Sequence, residues 1–87
     1  MIKGEMILVK WWDTQGSETW VKESKFLKTM PSIILSPGIF INEDATCLRI
    51  AFDLADDGDL IGTAIPKGCI INVHKLNVGE KINAIPE

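Results

Sequence analysis

Cys47–Leu54 reads CLRIAFDL, and its alternation is the clearest structural signal in the chain. Leu48, Ile50, Phe52 and Leu54 fall on one side; Cys47, Arg49, Ala51 and Asp53 fall on the other. Successive side chains of an extended strand point to opposite faces, so a period of two predicts a strand with the first set inward. Upstream, Asn42–Thr46 (NEDAT) has the composition of a hairpin turn. Before it, Ser32–Leu35 and Ile39–Ile41 read as two strand pieces separated by Pro37 and Gly38. Such a break suits a bend or bulge where a strand turns a corner between two sheets. Downstream, Ala55–Gly62 is a loop with turn chemistry at Asp57 and Gly58, and Thr63–Ile65 is a short strand stopped by Pro66. Cys69–Leu76 mixes spacings of two and three, which predicts a helical turn or bulge feeding a last strand.

The amino-terminal ribbon repeats the period of two. In Met6–Trp12, Ile7, Val9 and Trp11 form the cleaner core face, while Met6, Leu8, Lys10 and Trp12 point the other way. Asp13–Thr19 is a polar loop, and Trp20–Lys22 is expected to return from it as a short strand. Ser24–Met30 fits one or two helical turns, with Ser24 as N-cap and Pro31 as the stop. The sum is about five short strands and one helical turn, with turn signals every eight to twelve residues and no alternating βα units. The expectation is an all-β fold: a small, bent antiparallel barrel of SH3-like or Sm-like kind over residues 1–76, with 77–87 as a carboxy-terminal tail.

The chain has 87 residues, 46% apolar and 24% charged, with a net charge of −3. That mix belongs to one folded domain and excludes a multidomain enzyme, a basic histone-like binder and a membrane span. A core this small usually needs help from disulfides, metals or self-association. Cys47, Cys69 and His74 cannot fill a tetrahedral zinc site by themselves. Residues 1–10 lack the apolar segment of a signal peptide, so reduced, buried thiols and a cytoplasmic location are expected. A homo-oligomer is then the expected supplement. Residues 1–42 carry net +1 and residues 43–87 net −4, with Glu43, Asp44, Asp53, Asp56, Asp57 and Asp59 close together in sequence. Duplex DNA binding needs gathered cations, so it is not expected.

A pattern runs through these elements: Val9-x-Trp11-x-Asp13, then Trp20, then the Pro37–Phe40 strand start, then Ile65-Pro66-Lys67-Gly68-x-Ile70-x-x-Val73-x-x-Leu76. It resembles a set of short uncharacterised proteins carried by tailed bacteriophages, over roughly Ile7 to Leu76. The resemblance implies a phage setting and a small β fold; it implies no reaction.

Catalytic chemistry finds little footing. His74 is the single histidine, and Asp56, Asp57 and Asp59 sit in a polar loop where water keeps carboxylates ordinary. An EF-hand begun at Asp53 meets Ala55 at its third position and Ala64 at its twelfth. No phosphate-loop motif occurs, and neither a cofactor, a metal nor an enzymatic activity is expected. The tryptophans carry more. Trp11 belongs to the core face, Trp12 faces outward beside Lys10, and Trp20 is expected to pack on Trp11 or Phe26 if it is structural. An exposed indole with cations nearby could stack a base and hold a phosphate, and could equally anchor a protein. Lys10, Trp12, Trp20, Arg49 and Lys67 are therefore the candidate ligand-binding residues. Two functions are expected to compete. One is a phage-type protein that sequesters a small nucleotide-like signal between subunits and so counters host defence. The other is an inhibitor or adaptor that sets its acidic loop surface against a host protein.

Overall fold

The computed structural model describes residues 1–83. Five strands form one antiparallel sheet: β1 (Met6–Asp13), β2 (Ser32–Glu43), β3 (Cys47–Leu54), β4 (Leu60–Pro66) and β5 (Ile70–Lys75), in the order β4-β3-β2-β1-β5. A single helical turn, α1 (Glu23–Phe26), lies between β1 and β2, and a 3-10 turn, Lys67–Cys69, joins β4 to β5.

The barrel shape comes from β2. Ser32–Ile39 pairs with β1, whereas Ile39–Glu43 pairs with β3. One strand thus joins the two halves of the bent sheet, β2-β1-β5 and β2-β3-β4. The expected break at Pro37 and Gly38 is instead part of one continuous twelve-residue strand. Pro37 is tolerated there for a local reason. The Phe40 amide donates to the Glu5 carbonyl, so the odd-numbered neighbours turn their backbone away from β1. On that side pairing with β3 starts only at Ile39, and the missing N–H of Pro37 leaves no ladder bond unmade.

Ile7, Val9, Phe40, Leu48, Ile50 and Ile65 are buried between the two layers, with Trp11, Ile70 and Val73 packed against them. Each fully buried aliphatic side chain contributes about 1.5–3 kcal/mol relative to exposure. The Trp11 indole N–H donates to Ser36 Oγ at 3.0 Å, which satisfies the one polar atom of an otherwise apolar ring. The 3-10 turn carries the chain from β4 at one edge of the sheet to β5 at the other. The Lys67 amide donates to the Thr46 carbonyl at 2.9 Å, and three residues later Ile70 lies opposite Trp11.

Several expectations change. Leu48 and Ile50 face inward as the alternation predicts, but Phe52 and Leu54 are about half exposed. A bulge is the cause: Ala51 pairs with Gly62 and Asp53 with Ile61, so Phe52 is an extra residue and the alternation loses its register there. β4 runs over seven residues rather than Thr63–Ile65 alone. Trp20–Lys22 is not a strand, and the helical turn spans Glu23–Phe26 with Lys22, not Ser24, at its N-cap and no side-chain cap. Cys47 and Cys69 are free and half-buried rather than fully buried. Residues 76–83 form no strand and are exposed; the rest of the expected tail, 84–87, lies outside the described residues. No helix among the described residues is long and apolar enough to cross a membrane.

Candidate functional site

The alternation that buries Ile7 and Val9 forces Leu8, Lys10 and Trp12 outward, and Trp12 is 41% exposed. Residues directly opposite each other in an antiparallel pair share a face. Leu8 faces Pro37, Lys10 faces Leu35, and Trp12 faces Ile33 across the β1–β2 ladder; His74 and Asn72 of β5 flank Leu8 and Lys10 on the other side. Ile33 and Leu35 are exposed, at 48% and 61%. The outer face of this layer is therefore an apolar strip holding one cation, Lys10.

Arg49 and Lys67 lie elsewhere and are already occupied. Arg49 faces Asn42, nine residues along β2 from Ile33, a path of about 30 Å measured along the strand. Its guanidinium is 2.9 Å from Asp44 Oδ2 and donates to Asn42 Oδ1 at 3.2 Å. Lys67 Nζ is 2.8 Å from Glu43 Oε2. The β2–β3 turn organises both pairs. Asp44 Oδ1 accepts from Thr46 Oγ1 at 2.6 Å, from the Thr46 amide at 2.8 Å and from the Cys47 amide at 3.0 Å. The Thr46 hydroxyl, these two amides and Arg49, in that order of weight, hold the Asp44 carboxyl far below its usual range. Lys67 lowers Glu43 in the same way, first by its hydrogen bond and then by its charge. At the base of β1, the Ile2 amide and then Lys75, whose amine is 3.1 Å away, lower Glu5.

Trp20 lies in a third place. It is fully exposed and packs on neither Trp11 nor Phe26 as a structural residue would. It helps line an open hollow of about 520 Å³ with Phe26, Val21, Glu18 and Glu23, whose charged side chains are both acidic. The five sequence candidates are thus not gathered into one pocket: Lys10 and Trp12 share the outer face, Arg49 and Lys67 sit in ion pairs at the turn, and Trp20 stands on the long β1–β2 connection. The sequence reading missed Ile33 and Leu35. Their exposure follows from their register opposite Trp12 and Lys10, which needs the strand pairing to be known. Among the described residues, no three His, Cys, Asp or Glu side chains converge as a metal-binding group.

This arrangement defines, as a class, a small five-stranded antiparallel barrel with an apolar outer strip. Comparisons with protein-family models, with curated proteins and with solved structures each returned no match.

Proposed function

We propose that this chain is a non-enzymatic binding module directed at another protein, an adaptor or inhibitor that docks through the outer face of β1 and β2. The observation that carries the proposal is the strip of Trp12, Ile33 and Leu35, exposed side by side with Lys10 as its single cation. Contiguous exposed apolar side chains around a tryptophan suit the desolvated centre of a protein interface. Capture of a nucleotide-like signal has weaker support. A phosphate group needs free cations, while Arg49 and Lys67 are held by Asp44 and Glu43, and the hollow beside Trp20 is bordered by two glutamates. The resemblance to short proteins of tailed bacteriophages favours a host protein as the partner.

The test places a photoreactive amino acid at position 12 and irradiates the chain in host lysate. The expected result is one dominant adduct with a host polypeptide, lost when Leu35→Asp is added. Adducts only between copies of the chain, or none, overturn the proposal. Saturable calorimetric heat with cyclic dinucleotides or NAD-derived signals, abolished by Trp12→Ala, would replace it with the nucleotide reading.

A further inference from the structure

Every residue from Thr14 to Pro31 is exposed, an eighteen-residue arm that leaves the barrel between Asp13 and Ser32. Among the described residues, its hydrogen bonds close within the arm itself, from the Ser17 hydroxyl to the Thr19 carbonyl and around the turn at Lys22–Thr29. Its apolar side chains stay largely uncovered: Trp20, Leu27 and Met30 stand in water, and Val21 and Phe26 are part-exposed. An arm of this composition has no reason to stand in solvent unless something else receives it.

The whole-molecule dimensions show how extended the chain is. The accessible surface is 7221 Å², against about 5,100 Å² for a compact monomer of this mass. The radius of gyration is 17.3 Å, against about 12 Å for a compact chain of this length. The arm and residues 76–83 are the segments that stand off the barrel, and the arm brings the large apolar side chains together. That excess of about 2,100 Å² is shared by the arm with the exposed residues 1–4 and 76–83, and a standard interface takes roughly 800 Å² from each partner.

A complementary surface exists on the same molecule. The β3–β4 hairpin exposes Phe52, Leu54, Leu60 and Ile61 at its outer end, with Leu54 opposite Leu60 on one face and Ile61 opposite Asp53 on the other. Around them stand Asp53, Asp56, Asp57 and Asp59, with no Lys or Arg anywhere between Ile50 and Pro66. The arm carries Lys22, Lys25 and Lys28 interleaved with its apolar residues, against Glu18 and Glu23. Among the described residues none of these three lysines and none of these four aspartates is in an ion pair. We infer that the Thr14–Pro31 arm of one copy packs on the β3–β4 hairpin of a second copy, its apolar side chains against the face that carries Leu54 and Leu60 and its lysines against the hairpin aspartates. This surface is distinct from the strip around Trp12, so assembly and partner binding are separable.

The test is a charge exchange read by light scattering, with the full chain at tens of micromolar. The wild type is expected at a multiple of its 9.6 kDa monomer mass. Lys25→Glu/Lys28→Glu and Asp56→Lys/Asp57→Lys should each run as monomers, because like charges then meet within every pair of identical copies. Mixed one to one they should reassemble, since each arm now finds an oppositely charged hairpin. A second arm variant, Trp20→Ser/Leu27→Ser, removes apolar contact without changing charge and should also be monomeric. Circular dichroism of each variant checks that the barrel is retained, all substituted sites being exposed. A monomeric wild type at these concentrations, charge variants that stay assembled alone, or a mixture that stays monomeric overturns the inference. A monomeric wild type would leave the arm to a different protein.

Discussion

Gly62 should be the least replaceable glycine of the fold, although it lies in an exposed edge strand. A methyl group built on it would sit 2.2 Å from the carbonyl oxygen of Ile50 and 3.1 Å from Cα of Ala51. Comfortable carbon contacts lie near 3.5–4.0 Å, so the overlap exceeds about 1 Å, and the atoms in the way are backbone rather than a side chain that could swing aside. Gly62→Ala must therefore push β4 off β3 at the bulge. Overpacking costs typically about 1–3 kcal/mol, and a backbone obstacle places this case at about 3 kcal/mol. Marginal stability for a chain of this length is about 4–13 kcal/mol. Each kcal/mol shifts the melting temperature of so small a domain by about 4–8 °C, so a fall of about 12–24 °C is expected. Two other glycines calibrate the measurement. Gly58 has open space around it but a φ of +95°, so Gly58→Ala should cost about 1–2 kcal/mol for the left-handed backbone alone. Gly68 has neither obstacle nor positive φ, so Gly68→Ala should be neutral or stabilising by about 0.4–1 kcal/mol. The assay is thermal unfolding by circular dichroism at one fixed protein concentration, because self-association would make melting concentration-dependent. A Gly62→Ala variant that melts within about 3 °C of wild type, or above Gly58→Ala, would refute the β3–β4 packing described here.

The bulge makes a second prediction: Ile50→Ala should cost about 2–5 kcal/mol, as for a buried aliphatic, while Phe52→Ala should cost under about 1 kcal/mol, as for an exposed site, both followed by tryptophan fluorescence at low micromolar concentration. Equal losses would mean that Phe52 is a core residue after all. The lowered carboxyls of Asp44, Glu43 and Glu5 fix the sign of an acid response. A carboxyl whose folded pKa lies below its unfolded value adds stability that is complete above the ordinary carboxylate range and is lost as pH falls through the folded pKa. Stability should hold from neutral pH down to about pH 5 and decline below about pH 4. Asp44→Asn should be less stable at neutral pH and show a shallower decline in acid; denaturant midpoints from pH 7 to pH 2 would show it, and an unchanged slope would discount the Asp44 turn.

What the chain shows by local pattern, it shows well. Ile7, Val9 and Trp11 against Lys10 and Trp12, and Leu48 with Ile50 on the next clear strand, are placed by alternation, because a half-buried strand must separate its apolar and polar sides. The all-β class and the turn at Asp44–Thr46 follow from the same local chemistry. Local pattern stops where neighbours decide. Phe52 and Leu54 continue a faultless alternation yet leave the core, since the bulge opposite Gly62 is a property of two paired strands and not of either sequence.

The candidate site divides along the same line. Sequence alone settled which side of its strand Trp12 occupies, because strand periodicity is written in consecutive residues. Only the tertiary structure decided what shares that side. Ile33 and Leu35 arrive beside Trp12 and Lys10 through the β1–β2 register, and Arg49 and Lys67 are claimed by Asp44 and Glu43 across the turn and the 3-10 connection. Lys67 and Glu43 are 24 positions apart and the strip joins β1 to β2, whereas Arg49 and Asp44 are five apart across one turn. No local spacing encodes the strip or the Lys67–Glu43 pair, because strand pairing and the bend of the sheet bring those residues together.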